Sequence, residues 1–236
     1  MGDSVTEIGK QAFLGCDKML FFTFSNSLRK IKKNAFSFCS SLKEIELPDS
    51  VEEIEEAAFL SCDNLTSVKL PSNLTVIKDK TFRECKRLRN VVFPTSLSYI
   101  GCSAFEGCTD LESVRITDIE IEIAYDAFAD TAFINNNKDE FIILGKGNLF
   151  KYNGRGPNVV IPDIVTNISE TSFAGCTTLT SVIIPRGVKY IENSAFEGCT
   201  GLTSVTIPES VESIGYYAFK ECTNLSSVYI PESVTF

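Results

Sequence analysis

Apolar and polar positions along the chain recur with a period of 23 residues. Phe13, Phe36, Phe59, Phe82, Phe105 and Phe128 are spaced by 23, and so are Phe173, Phe196 and Phe219. Between Phe128 and Phe173 the step is 45, one short of two periods. An Ile sits five residues before each Phe, from Ile8 to Ile214, and a Cys three residues after most of them, from Cys16 to Cys222. A Leu follows three residues later (Leu42 to Leu225), and a Pro (Pro48 to Pro231) closes the unit. The composite pattern is V-x-x-I-x-x-x-A-F-x-x-C-x-x-L-x-x-V-x-[IL]-P-x-S.

The spacings predict local structure. Ile, Ala-Phe and Cys at i, i+4/i+5 and i+8 suit a short helical turn with one inward face. A segment such as Val205-Thr206-Ile207 alternates in, out, in, as a strand does, and the following Pro ends it because it has no N–H to donate. A 23-residue unit cannot close a core alone, so units must stack and bury their apolar columns on one another.

Residues 129–160 break the period. Thr131 stands in the Cys column and Asn137 in the Val column. Two apolar runs then flank Gly145-Lys146-Gly147-Asn148, which predicts a β-hairpin. Gly154-Arg155-Gly156-Pro157 reads as a turn, and Val159-Val160-Ile161-Pro162 resumes the strand pattern. Two roles stand open for the insertion. It patches a degenerate unit, or it forms a hinge or protruding ligand contact anchored by Phe150 and Tyr152. In the preceding unit Thr117 replaces Pro and Glu120 replaces Val, so Ile119 or Ile121 is expected to slip into the core.

Leu65-Thr66-Ser67-Val68-Lys69-Leu70 resembles the L-x-x-L-x-L core of leucine-rich repeats, and the whole unit, with its Ala-Phe, Cys and Ile-Pro columns, closely resembles the BspA-type leucine-rich repeat family. The resemblance covers nearly the entire chain. It implies a curved, right-handed leucine-rich-repeat solenoid with a parallel strand ladder, short helical turns and one β-hairpin insertion of architectural character. The expected organisation is repeats over 1–128, a degenerate repeat with the hairpin over 129–160, and repeats over 161–236, all in one continuous solenoid. The resemblance also implies a cell-surface or secreted protein tied to adhesion and host contact, which the periodicity alone does not show.

The nine Cys are an odd number, eight of them in one column. Metal sites need clustered ligands. Disulfides need Cβ atoms about 3.8 Å apart, whereas stacked side chains sit about 4.8 Å apart. The column therefore reads as buried, reduced thiols acting as small hydrophobes. Cys102 lies off the column and is the one candidate reactive thiol, although nothing beside it in sequence suggests activation. Free thiols favour a reducing, cytoplasmic setting, against the surface location that the resemblance implies. Four N-x-[ST] matches, at Asn64, Asn73, Asn167 and Asn224, matter only in a secreted eukaryotic protein.

The 236-residue chain carries a net charge of −9, and residues 119–236 hold 7 Lys/Arg against 14 Asp/Glu. Phosphate contacts dominate nucleic-acid affinity, so no nucleic-acid partner is expected, and no apolar run is long enough for membrane insertion. The absence of His excludes the usual His-dependent triads and His metal ligation. With scattered carboxylates and no phosphate-cradling loop, the chain reads as non-enzymatic, with no cofactor.

What remains for function is the outward residue of each strand: Thr23, Glu46, Lys69, Val92, Arg115, Ile183, Thr206 and Tyr229. Solenoids bind through such surfaces. Val92, Ile183 and Tyr229 either fill tolerant strand positions or anchor a contact. Arg83, Lys86, Arg87 and Arg89 read as a solvated face or a site for an acidic partner, and Glu52, Glu53, Glu55 and Glu56 as a solvated face. The expected function is protein binding, to host matrix or another cell-surface protein, with a structural spacer or stalk as the alternative. The chain begins and ends mid-unit with no capping repeat in view, so a fragment of a longer protein, or end-to-end self-association, is also expected.

Overall fold

Most 23-residue periods form a rung bearing two short strands and a turn, and strands of neighbouring rungs pair in parallel within each sheet. The computed structural model describes residues 4–116 and 121–235. The chain divides into two units, Met1–Asn137 and Lys138–Phe236.

In the first unit, strands Glu44–Glu46, Ser67–Lys69 and Asn90–Val92 form one parallel sheet with residues 23 apart opposite each other. The central residue of each (Ile45, Val68, Val91) is buried and its outward neighbour exposed. Two-residue strands ending in the Ile column make a second set: Glu7–Ile8, Lys30–Ile31 and Glu53–Ile54, then Val76–Ile77, Tyr99–Ile100 and Glu122–Ile123. The Phe rings stack between these ladders. Phe36, Phe59, Phe82, Phe105 and Phe128 are fully buried, with neighbouring centroids 5.3–5.5 Å apart and planes within 15°.

The Ala-Phe segment is a turn and not the helical one its spacing suggests. Residues two before and two after the column Phe take positive φ, for example Asn34 (58°) and Phe38 (63°), Lys80 (58°) and Glu84 (60°), except at Phe128, where only Asp130 does (57°). An α-helix cannot pass through such residues. Alternate amides instead donate to the next rung: Asn34, Phe36 and Phe38 bond to the carbonyls of Glu56, Ala58 and Leu60 at 3.2, 2.8 and 2.7 Å. The intervening Ala35 and Ser37 amides close back on Lys32 and Asn34, so the buried backbone is satisfied without a helix. Ala leaves room where the next rung approaches.

One α-helix, Ala132–Asn136, occurs among the described residues. It explains the loss of Cys at 131. The Thr131 hydroxyl accepts from the Ile134 amide at 3.3 Å as an N-cap, and donates to the Phe128 carbonyl at 2.8 Å. In the unit just before it, Ile121 is buried and fills the core. Thr117, Ile119 and Glu120 lie outside the described residues.

The second unit opens with the hairpin, Phe141–Leu144 against Asn148–Tyr152. Its second strand then pairs in parallel with Asn167–Ile168, so the hairpin becomes a rung of the ladder that continues through Tyr190–Ile191 and Ser213–Ile214. Tyr152 takes the Phe slot, its ring 5.0 Å from that of Phe173 and its amide bonded to the Ser172 carbonyl. Phe150 and Tyr152 are 7% and 5% exposed, so they serve the core and are not protruding anchors. Gly154 passes directly over this ring, and a Cβ there would land on the Tyr152 hydroxyl and ring carbons. Held between Phe141 and Phe173, the ring has little room to move. Gly154→Ala should therefore cost about 1–3 kcal/mol in urea unfolding; an unchanged midpoint would show that the ring gives way freely.

The Cys column has a hydrogen-bonding task besides filling space. Cys39, Cys62, Cys85 and Cys108 donate to the carbonyls of Phe13, Phe36, Phe59 and Phe82 at 3.1–3.3 Å, and Cys199 and Cys222 to those of Phe173 and Phe196 at 3.2 Å. A thiol is small enough for the core and still offers a weak donor. All nine cysteines are free.

Charge follows the same 23-residue offset. Arg29, Lys30, Lys32 and Lys33 pair with Glu52, Glu53, Glu55 and Glu56 one rung on, at 2.6–3.4 Å. The two charge runs that read as solvated in sequence are thus partners of other rungs, for Arg83, Lys86 and Arg89 likewise reach Glu106, Asp63 and Asp110. Exposed pairs of this kind contribute at most about 1 kcal/mol each.

Candidate functional site

Strand geometry places the outward residues in rows. In the first unit, Glu46, Lys69 and Val92 are direct neighbours across the sheet. Glu46 and Lys69 pair with each other at 2.7 Å, the Glu46 hydrogen bond holding the Lys69 ammonium above its usual pKa. Val92 is 75% exposed. Thr23 lies beyond the assigned strands but shares an open groove with Phe21, Glu46, Lys69 and Val92. Arg115 also falls outside a strand, beside Phe93, Ile116 and Ile121. The structure therefore brings Thr23, Glu46, Lys69 and Val92 to one groove, whereas Arg115 lines a separate hollow with Phe93 and Pro94.

In the second unit, strands Asn158–Val160, Ser181–Ile183, Ser204–Thr206 and Ser227–Tyr229 form one parallel sheet. Val160, Ile183, Thr206 and Tyr229 stand in a single register row. Val160, Ile183 and Tyr229 are 65%, 61% and 64% exposed. Val160 is absent from the row read from sequence, although Val159-Val160-Ile161-Pro162 carries the V-x-I-P signal; the interruption beside it hid the match. A second outward row, Asn158, Ser181, Ser204 and Ser227, runs alongside, with the Ser181 hydroxyl bonded to the Asn158 side-chain oxygen at 2.7 Å.

This face differs from its counterpart in charge. Residues 177–185, 200–208 and 223–231 contain no Asp, Glu, Lys or Arg, and 154–162, the remaining stretch of this face, contains one, Arg155. The four equivalent stretches of the first unit, 40–48, 63–71, 86–94 and 109–117, contain eleven. The acidic residues of the second unit, such as Glu192, Glu197, Glu209 and Glu212, lie outside these stretches.

Other chemistry has little support in the geometry. Burial, followed by Asp126 and Asp79, pushes the Cys102 thiol up, so it carries less thiolate at neutral pH than a free cysteine. Among the described residues, no group of three or more His, Cys, Asp or Glu is placed to hold a metal ion. Among the same residues, no helix is long and apolar enough to cross a membrane.

Known proteins share this architecture. A leucine-rich repeat protein from Bacteroides ovatus is 30% identical over 99% of the chain, with a TM-score of 0.52, and the chain spans 66% of that protein's length. A leucine-rich cell surface protein from Faecalibacterium prausnitzii is 29% identical over 99% of the chain and 72% of its own, with a TM-score of 0.59. The pneumococcal vaccine antigen PcpA, at 20% identity over 98% of the chain and 71% of its own, shares the fold, with a TM-score of 0.54. No curated protein matches the chain in sequence. The BspA type leucine rich repeat region matches in six copies over residues 6–135 and 146–236. With its 23-residue rungs, parallel strand ladders and stacked Phe column, the chain belongs to the BspA-type leucine-rich repeat family.

Proposed function

We propose that the chain is a non-enzymatic protein-binding module displayed at a cell surface or secreted, with a role in adhesion or host contact. Its contact face is the outward strand row of residues 138–236. One observation carries this reading: Val160, Ile183 and Tyr229 stand exposed in a single register row. Apolar side chains aligned on a rigid sheet are suited to anchor a partner. The Faecalibacterium relative is described as a cell surface protein, which supports the location.

A structural spacer is the second reading. The first unit favours it, because Glu46 and Lys69 satisfy each other instead of reaching outward. The test is capture from serum and extracellular-matrix extract by the native chain and by a Val160→Glu, Ile183→Glu, Tyr229→Glu variant of equal stability. Saturable capture by the native chain and at least tenfold weaker capture by the variant is the expected result. Equal capture by both would move the site off this face, and capture by neither would favour the spacer.

A further inference from the structure

The nearly charge-free face has a property that selects its partner. The molecule carries a net charge of −9, so two copies repel each other over most of their surfaces. Residues 177–185, 200–208 and 223–231 are exempt, and the fourth rung of the face, 154–162, carries a single charge, Arg155, opposite in sign to the net charge.

The row is also complementary to itself. Its order across the sheet is Val160, Ile183, Thr206, Tyr229. A two-fold axis lying in the contact plane, parallel to the strands and midway between the 183 and 206 rungs, reverses this order in the second copy. Val160 then meets Tyr229 of the other copy, and Ile183 meets Thr206. Each large side chain faces a smaller one. The parallel row opposes Asn158 to Ser227 and Ser181 to Ser204, groups that can donate and accept hydrogen bonds. Such an isologous contact closes at two copies.

We infer that the occupant of this face is a second copy of the chain, docked about that two-fold axis. The inference rests on the reading of the face as a contact surface and names its partner. Four rungs about 4.8 Å apart, each with about seven residues outside turns, at about 3.3 Å apiece, cover on the order of 450 Å². Two facing copies bury on the order of 900 Å², at the low end of specific interfaces, so the dimer is weak and exchanges rapidly. Its dissociation constant is expected near 100 µM, a range in which crowding on a surface raises occupancy.

Sedimentation equilibrium of the full chain from about 10 µM to about 1 mM tests this. The expected result is a monomer–dimer equilibrium no weaker at about 0.5 M than at about 0.05 M NaCl, since no ion pair is lost to screening. Ile183→Glu and Thr206→Lys, each exposed and harmless to the core, should each weaken dimerisation more than tenfold. An equimolar mixture of the two variants should recover it, because the introduced carboxylate and ammonium meet across the axis. Val92→Glu, in the first unit, should leave it unchanged.

A native chain that stays monomeric to about 1 mM overturns the inference. So does a dimer that persists in both single variants, which would assign association to another surface such as end-to-end stacking. If the monomeric chain still captures an extract protein, and Ile183→Glu abolishes that capture, the binding-face reading stands while the second copy is excluded as its occupant.

Discussion

Phe82→Ala should destabilise the first unit by about 3–5 kcal/mol. Phe82 is fully buried, its ring stacked 5.5 Å from Phe59 and 5.4 Å from Phe105. The cost sits at the upper end because the cavity cannot collapse. The Phe59 amide is bonded to the Thr81 carbonyl at 2.9 Å and the Phe82 amide to that of Ala104 at 2.8 Å, so the rungs above and below are held at their spacing. Phe219→Ala should cost less, since Phe219 is only partly buried and stacks on Phe196. Urea unfolding followed by far-UV circular dichroism measures both. A loss below about 1 kcal/mol at Phe82 would mean that the rungs close over the void and that the ring stack is not the main support.

Stability should also fall steeply as pH rises from about 9 to about 12. Burial pushes the Cys39 and Cys199 thiols from 9.0, the value of an unburied thiol, up to about 12. Cys62, through its contact with Cys85 and through burial, and Cys85, Cys108, Cys176 and Cys222, through burial, move the same way. Above pH 9 the unfolded chain releases these protons while the folded chain keeps them. The unfolded state then binds fewer protons, so unfolding becomes easier with each step in pH. The contribution is fully present below pH 9 and is lost as pH climbs toward the folded values. Cys39 and Cys199 alone give a slope of about 2.7 kcal/mol per pH unit. Urea midpoints at several alkaline pH values, under reductant, should show this slope reduced by about that amount in the Cys39→Ala, Cys199→Ala variant. An identical slope in the variant would assign the alkaline loss to other groups, such as Lys69, Lys189 and Lys220, which the hydrogen bonds they donate to Glu46, Glu212 and Glu197 hold above their usual pKa.

Much of this architecture is legible in the chain itself. The Phe, Cys, Leu and Pro columns locate each rung, and alternation identifies Ile45 and Val205 as inward and Glu46 and Thr206 as outward. The turn was not legible. Ile31, Phe36 and Cys39 have helix-like spacing, and only backbone conformation reveals that Asn34 and Phe38 take positive φ between them. Tyr152 hid because it reaches the Phe slot from a hairpin, 21 residues before Phe173 instead of 23. Thr131 looks like decay of the Cys column until the helix it caps is seen. The thiol-to-carbonyl bonds depend on which way a side chain points, which no column records. The candidate face was half visible: its apolar members stand in the pattern, whereas the absence of charge emerges when equivalent stretches of the two units are laid side by side.

The ion pairs between rungs bear on how far such a chain can be rearranged. The repeated columns make the units look interchangeable, yet Arg29-Lys30-Ile31-Lys32-Lys33 is complementary to Glu52-Glu53-Ile54-Glu55-Glu56 and to few other segments. A rung copied beside itself would set ammonium against ammonium or carboxylate against carboxylate, and a rung skipped in folding would place Glu53 beside Glu7. Each pair adds little to stability, but together they act as an address that tells otherwise uniform modules which neighbour is theirs. Duplication or shuffling of these units would then have to carry both halves of a charge match, which confines viable exchanges to blocks of adjacent rungs.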